Sequence, residues 1–317
     1  MREFEAYSPE DTILLNLREN TKRHCVLTEQ EISHLRDLAY EVTEGRNAQE
    51  ALLSLSDLLS ADALPLQNVI LQNRDPIGRL QNEFHLRRKL LLCYLVCGLL
   101  RENQSLGYDA FFADSLSQAD ETPRIIYQKS GYADSAHLRF SSLFNATHTT
   151  YTHGFISACE DVYNGLCDYC ILPLESSSEG LLRSFFKLIL KYDLKIAATC
   201  DVSEKGDERI TRFALLRRAI LPVLHAPMSN MNFELAFPLA SSRDITNLLS
   251  AASFFDIDIL SVGTMPSDED SCHPLVHAVF SLTHGDLEAF LTSLSMENPQ
   301  YIPLGLYPHL SIKKERI

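Results

Sequence analysis

Glu175-Ser176-Ser177-Ser178-Glu179-Gly180 sets three hydroxyls side by side ahead of a glycine at an expected helix start. Hydroxyls and backbone N–H groups at such a place take up a small anion, because the first N–H groups of a helix have no partner within it. The same serines also suit the simpler task of capping that helix. Cys167 and Cys170 have C-x-x-C spacing, but no second cysteine pair follows at zinc-ribbon distance and they straddle the start of a buried strand, so neither a metal nor a redox centre is expected. Arg87-Arg88-Lys89 could hold a carboxylate, although a charged run on a helix is ordinarily a solvated face. His24, His85, His148 and His153 are too dispersed to form a ligand set. Cys93 and Cys97 share a helix face with large apolar neighbours, which suits core packing. No cofactor is expected.

The elements that would position these residues change character along the chain. Residues 1 to 120 read as helical. Thr28 with Glu31 and Asn47 with Glu50 have capping-box spacing, and Asp75-Pro76 supplies an N-cap and a first-turn proline. Helices are expected near 28–45, 47–62 and 76–103, and residues 107–123 read as a connection. After Pro123 short apolar strands alternate with helices: strands near 125–128, 147–151, 169–174, 195–200 and 211–216, helices near 133–144, 155–164 and 181–191. That alternation argues for a small α/β layer. From Asn232 the order is strand 233–239, helix 243–255, strand 258–265, strand 276–282, helix 286–295 and strand 301–307, which is the ferredoxin-like order.

With 317 residues, 45% of them hydrophobic, the chain has apolar material for two or three domains. Its net charge of -14 argues against nucleic acid or an anionic membrane as partner, while leaving room for a local basic pocket that takes a small carboxylate. The longest apolar run, Leu90 to Leu100, is too short to span a bilayer. No secretory leader is read at the start, and eight scattered cysteines fit reduced thiols, so a cytoplasmic setting is expected.

Three phrases occur in order: Arg124-Ile125-Ile126-Tyr127-Gln128; then Cys167-Asp168-Tyr169-Cys170-Ile171-Leu172-Pro173-Leu174-Glu175-Ser176-Ser177-Ser178-Glu179-Gly180; then Thr211-Arg212-Phe213. Together they resemble the prephenate dehydratase family, whose central phrase is roughly A-D-Y-G-V-L-P-I-E-N-S-x-x-G and whose late signature is T-R-F. The ending Leu304-Gly305-Leu306-Tyr307-Pro308 is similar to the L-G-S-Y-P that closes the family's ACT domain. The resemblance spans about residues 124 to 310. It implies conversion of prephenate to phenylpyruvate, water and carbon dioxide. Thr211 would then be the proton donor to the departing hydroxyl, with Glu175, Ser176, Ser177, Ser178, Gly180, Arg212 and Phe213 around the substrate.

The chain also departs from that pattern. In the family a second lobe is inserted between the strand at Lys195-Ile196-Ala197-Ala198 and the T-R-F strand; here only Thr199 to Ile210 intervenes. One wall of the cleft would be absent. A weakly acidic hydroxyl needs a dry pocket with anchoring donors, so the omission argues against strong catalysis. The family's asparagine in E-N-S is Ser176, and its glycine-rich first loop reads Lys129-Ser130-Gly131-Tyr132-Ala133-Asp134, which adds a negative charge where a dianion would approach. The phenylalanine-sensing G-A-L and E-S-R-P positions read Arg243-Asp244-Ile245 and Gly263-Thr264-Met265-Pro266, so sensing through Asp244, Gly263 and Thr264 in the usual way is doubtful.

The resulting expectation is a helical domain over 1–120, an α/β lobe of periplasmic-binding-protein-like type over 121–228, and a ferredoxin-like, ACT-like domain over 229–317 that supports a homodimer. Its function would be that of a dehydratase-derived protein of phenylalanine biosynthesis, weak or inactive as a lyase, acting by ligand binding or oligomerisation. One alternative is an active dehydratase with a rebuilt cleft. Another is a divergent chorismate mutase in the helices, where Arg18, Arg23, Arg36, Arg87, Arg88 and Lys89 would have to converge; that resemblance is one of domain order only.

Overall fold

In the computed structural model, residues 27, 29–70, 76–103, 106, 110–112, 122–203, 209–220, 231–239, 241–265 and 274–310 are described. They divide into two compact units, Met1–Gly107 with Glu288–Met296, and Tyr108–Leu287 with Glu297–Ile317. Thr28, Asp75 and Pro266 lie outside the described residues, as does most of the connection before Pro123.

The first unit is built from α1 (Glu29–Thr43), α2 (Ala48–Ile70), α3 (Pro76–Glu102) and most of α8 (Leu287–Glu297). Apolar residues at three- and four-residue steps give α1, α2 and α3 a buried side. Leu35, Ala39 and Val42 are buried on α1, Ala51, Leu55 and Leu59 on α2, and Leu90, Cys93, Val96, Cys97 and Leu100 on α3. The Cys97 thiol lies 3.2 Å from the Thr292 hydroxyl. The expected capping box opens α2: Glu50 N–H donates to Asn47 Oδ1 at 3.0 Å, and Asn47 N–H to Glu50 Oε2 at 3.2 Å.

The second unit carries one continuous mixed sheet. Its strands are β1 (Arg124–Gln128), β2 (His148–Thr152), β3 (Tyr169–Ser176), β4 (Gly180–Leu181), β5 (Lys195–Val202), β6 (Thr211–Arg217), β7 (Met231–Pro238), β8 (Asp258–Met265), β9 (Leu275–Ser281) and β10 (Ile302–Leu310). They lie in the order β2-β1-β3-β6-β5-β10-β7-β9-β8, with β4 beside β3. The first three are parallel, β6 runs against both β3 and β5, and β5 runs parallel to β10. The last four strands are antiparallel and read fourth, first, third, second in chain order.

Helices cover both faces. On one, α4 (Gly131–Ser141) seals Ala133, Ala136 and Phe140 over Ile125, Tyr127, Ile171, Phe213 and Leu215. On the other, α5 (Phe155–Tyr163) and α6 (Arg183–Lys191) bury Ala158, Val162, Phe186 and Ile189 over Ile126, Leu172, Leu174 and Ala214. That second core continues without a break onto Ala236, Leu304 and Tyr307. The sheet of the α/β strands therefore does not end at β5. It runs on into the C-terminal strands because β10 docks along β5, and Gly305 allows the approach: a Cβ there would stand 2.5 Å from the Ile196 carbonyl oxygen. α7 (Ser242–Phe254) completes the unit beside β8.

The β5 to β6 connection is residues 203–210, and the two strands pair directly from Lys195 opposite Arg217 to Val202 opposite Thr211. At the position where the resemblance implies an inserted lobe, only these eight residues join two antiparallel strands. Among the described residues no helix is long and apolar enough to cross a membrane.

Candidate functional site

The parallel strands turn back at β1. The chain leaves β1 through α4 to β2 on one side, then returns through α5 to β3 on the other, so the segments after β1 and β3 depart in opposite directions. The carboxyl ends of strands at such a switch are where open α/β sheets commonly bind ligands. The segments at that end are residues 129–131 and 176–180. β6 starts at the same end, with Thr211 opposite Ser176 on one side and Val202 on the other. Thr211, Ser176, Ser177, Ser178 and Gly180 are thus neighbours although 35 residues separate the outermost two of these in sequence, 176 and 211.

The serines do not open a helix. They form the turn of a short hairpin in which Glu175 and Ser176 pair with Leu181 and Gly180, and Gly180 takes a φ of 69° that favours glycine. α6 begins only at Arg183, behind an N-cap, Leu182, that offers no side-chain bond. The expected cap and helix-start anion site are therefore replaced by a turn. The hydroxyls have other work: Ser177 Oγ accepts from the Ile210 N–H at 3.0 Å, Ser177 N–H donates to the Ile210 carbonyl at 2.8 Å, and Ser176 and Ser178 hydroxyls lie 2.9 Å apart. Together they fasten the entry of β6, and with it Thr211, to the end of β3.

Alternation along β6 then separates the signature's members. Thr211 and Phe213 stand toward α4, in line with Val202 and Cys200 across the ladder, and Phe213 is buried there. Arg212 stands on the opposite face. Its Nη1 donates to Glu175 Oε2 at 3.0 Å and its Nε to Asp201 Oδ1 at 2.9 Å. His309 of β10 closes the group, with Nε2 3.4 Å from Asp201 Oδ2 and Nδ1 3.0 Å from the Thr199 hydroxyl. Partial burial works to raise the Asp201 carboxyl, but hydrogen bonds from His309 and Arg212 prevail and hold it down at about 2. The guanidinium is thus matched by two carboxylates, which compete with any dianion approaching this face.

A second polar group lies deeper in the same unit. Glu234 of β7 is 2% exposed, accepts the Tyr307 hydroxyl's hydrogen bond, and lies 2.6 Å from His277 Nε2. The Phe186 ring packs on His277 at 5.0 Å. Burial, then the Glu234 charge, push the Tyr307 hydroxyl well above its ordinary range. Sequence reading passed over Glu234, His277, Asp201 and His309. The signal was present, since a lone Glu within Phe233-Glu234-Leu235-Ala236-Phe237 is a charge in an otherwise apolar strand and requires a partner.

Other sequence candidates lie elsewhere. Asp244 accepts from the Ser241 N–H at 2.8 Å in the capping box of α7, while Gly263 and Thr264 lie exposed on β8. Asp134 accepts the Tyr127 hydroxyl at 2.8 Å, and Ser130 Oγ accepts from the Ala133 N–H at 3.1 Å to cap α4. Arg124 and Asp168, from the first and second phrases, form a two-pronged pair at 2.8 and 3.1 Å. Cys170 meets Cys159 rather than Cys167, and that hydrogen bond together with burial pushes its thiol well up.

No family model matches the chain, and no curated protein matches it. Among solved structures, a prephenate dehydratase from Streptococcus mutans matches with a TM-score of 0.50 and 18% identity, covering 59% of this chain and 98% of that one. A structure described as a novel type of quorum quenching acylase matches at 0.48 and 16%, covering 63% and 100%. A prephenate dehydratase from Arthrobacter aurescens in complex with L-Phe matches at 0.45 and 13%, covering 58% and 90%. The first of these is the likeness that bears on the fold. Across some three fifths of its length the chain has a prephenate dehydratase-like fold.

Proposed function

We propose that the chain is a prephenate-dehydratase-derived protein of phenylalanine biosynthesis that has little or no lyase turnover and acts by binding a small carboxylate or by self-association. The observation that carries this reading is the division of Thr211 and Arg212 between two faces of β6, with Arg212 matched by Glu175 and Asp201. Aromatisation of prephenate requires a dianion to be anchored while a proton reaches the leaving hydroxyl, and both tasks need donors converging on one dry pocket. The short β5 to β6 connection also supports the reading, since it leaves no chain length for a second wall.

The C-terminal strands have the βαββαβ order of an ACT-like, ferredoxin-like domain. Its edge strand β8 is exposed from Asp258 to Thr264, with Ile259, Leu260 and Val262 among its exposed residues. An open edge with apolar side chains is a ready partner for a second copy, which favours a homodimer through this strand.

The test is phenylpyruvate formation from prephenate by purified protein at neutral pH, with Thr211→Ala alongside because prephenate also decomposes spontaneously. Equal rates for both proteins are expected. Turnover that the substitution abolishes would replace this proposal with an active dehydratase.

A further inference from the structure

Among the described residues β2 ends the sheet, with β1 on its inner side. The His148 N–H donates to the Pro123 carbonyl at 2.9 Å. In a parallel ladder the N–H and C=O of one residue turn to the same neighbour and those of the next residue turn away. His148, Thr150 and Thr152 therefore serve β1, while Thr149 and Tyr151 hold their backbone groups outward. The strand carries none of the usual guards of an open edge. It has no proline, glycine, Asp, Glu, Lys or Arg, and its register with β1 runs without a bulge from Arg124 opposite His148 to Gln128 opposite Thr152.

Helix α4 marks where a further strand would lie. Asp134, His137, Leu138 and Ser141 follow one another at steps of three, four and seven, which is a single stripe of the helix. Three of them reach toward β1 and β2: Asp134 accepts the Tyr127 hydroxyl at 2.8 Å, His137 Nε2 lies 3.0 Å from Thr149 Oγ1, and Ser141 Oγ lies 3.5 Å from Thr147 Oγ1. Leu138 belongs to the same stripe and is 75% exposed, because no described strand lies beyond β2 for it to cover. Tyr151 stands on the same face of the sheet, its ring edge-on to Tyr127 at 5.3 Å, and is 53% exposed.

We infer that the β2 edge pairs with the β2 edge of a second copy of this chain, antiparallel about a two-fold axis between Thr150 and the partner's Thr150. In that register Thr149 stands opposite the partner's Tyr151, and every outward N–H and C=O of these two residues is taken up on both copies. The side chains agree with it. Since His137 covers Thr149, the partner's Tyr151 comes to rest just past Thr149, where Leu138 overhangs. An unrelated peptide could satisfy the backbone equally well; the second copy is selected because the edge itself supplies the exposed ring that its own Leu138 lacks. On the other face Thr150 meets the partner's Thr150 and His148 the partner's Thr152, so no like charges are set opposite each other. The nearest cation, Lys129, lies over the Tyr151 ring at 4.9 Å from its centroid, and the two-fold places its copies at opposite ends of the seam. β2 and β8 are the two ends of the sheet, so this interface is separate from pairing through β8, and the two together build an assembly larger than a dimer.

The test follows backbone amide exchange by NMR and assembly mass by sedimentation velocity, on the full chain over a range of concentrations. Protection of the Thr149 and Tyr151 amides that strengthens with concentration is expected. Leu138→Lys changes a side chain that the fold leaves exposed and sets like charges across the seam. It should speed exchange of both amides at least tenfold and lower the assembly mass twofold, while the Thr150 amide, which serves β1, keeps its protection. Ile259→Lys on β8 should leave all three amides unchanged, which separates this interface from pairing through β8. Free exchange of Thr149 and Tyr151 at every concentration, protection that does not depend on concentration, or protection that Leu138→Lys leaves in place would overturn the proposal. The concentration series uses the unaltered protein, so it decides the matter even where a variant folds poorly.

Discussion

Two polar groups in the second unit are built from similar side chains and differ in what surrounds them. Glu234, His277 and Tyr307 are sealed between β7, β9 and β10 at 2%, 6% and 3% exposure, whereas Arg212 and Glu175 retain 43% and 45% side-chain exposure beside Asp201 and His309. In the sealed group the partners stand in for water, so removing one leaves uncompensated polar atoms. In the open group solvent can replace a lost partner. Burial, and not the kind of residue, decides which group holds the fold together. β10 joins them: Tyr307 serves the first and His309 the second.

The largest expected effect breaks the sealed group. Glu234→Ala should cost about 3–5 kcal/mol of stability in urea unfolding, in line with the loss of one member of a buried pair. A cost no larger than that of Arg212→Met would remove the distinction drawn between the groups.

Next comes the strand that links them. Gly305→Ala places a methyl group 2.5 Å from the Ile196 oxygen, so β5 and β10 must part or shift. A loss of about 1–3 kcal/mol is expected, with faster amide exchange along β5 and β10 than along β7 and β9. Uniform exchange would show that the pairing is not the weak point.

Arg212→Met tests the open group, and here the expected loss at neutral pH is at most about 1 kcal/mol. Its sharper signature is in pH. Asp201, held at about 2, ionises below the ordinary carboxylate value of about 4, so the folded chain binds fewer protons there than the unfolded chain. The stabilisation is complete above about pH 4 and fades as pH falls toward 2. Without Arg212 the carboxyl should titrate higher in carbon-detected NMR, and the acid limb of the stability curve should flatten. An unmoved Asp201 would assign its depression to His309 alone.

The smallest effect belongs to the turn. Ser177→Ala removes the acceptor of the Ile210 N–H, but water can replace it at this exposed site, so less than about 1 kcal/mol should be lost. Faster exchange of the Ile210 amide is the measurement that would show it.

Much of this architecture was legible in the residues. Helix and strand order followed from periodicities, and the Asn47–Glu50 capping box formed as its spacing indicated. The two-residue strand β4 was not legible, because Gly180-Leu181 is too short to carry a period and pairs only through the turn before it. That turn also took the serines away from the helix they were expected to cap. Arg212 was identified, but its carboxylate partners come from β3 and β5, and nothing local marks Asp201 as one of them.

By itself the sequence determined the local elements, since capping, alternation and three- to four-residue steps act between near neighbours in the chain. It also carried the ordered phrases that led to the dehydratase-like fold. Only the tertiary structure decided that β10 docks on β5 to make one sheet, that Thr211 and Arg212 face opposite sides of it, and that His137 reaches Thr149 while Leu138 stays exposed. These are contacts between distant segments. They depend on which face each element buries, and one residue's shift in strand register or about 100° on a helix reverses them.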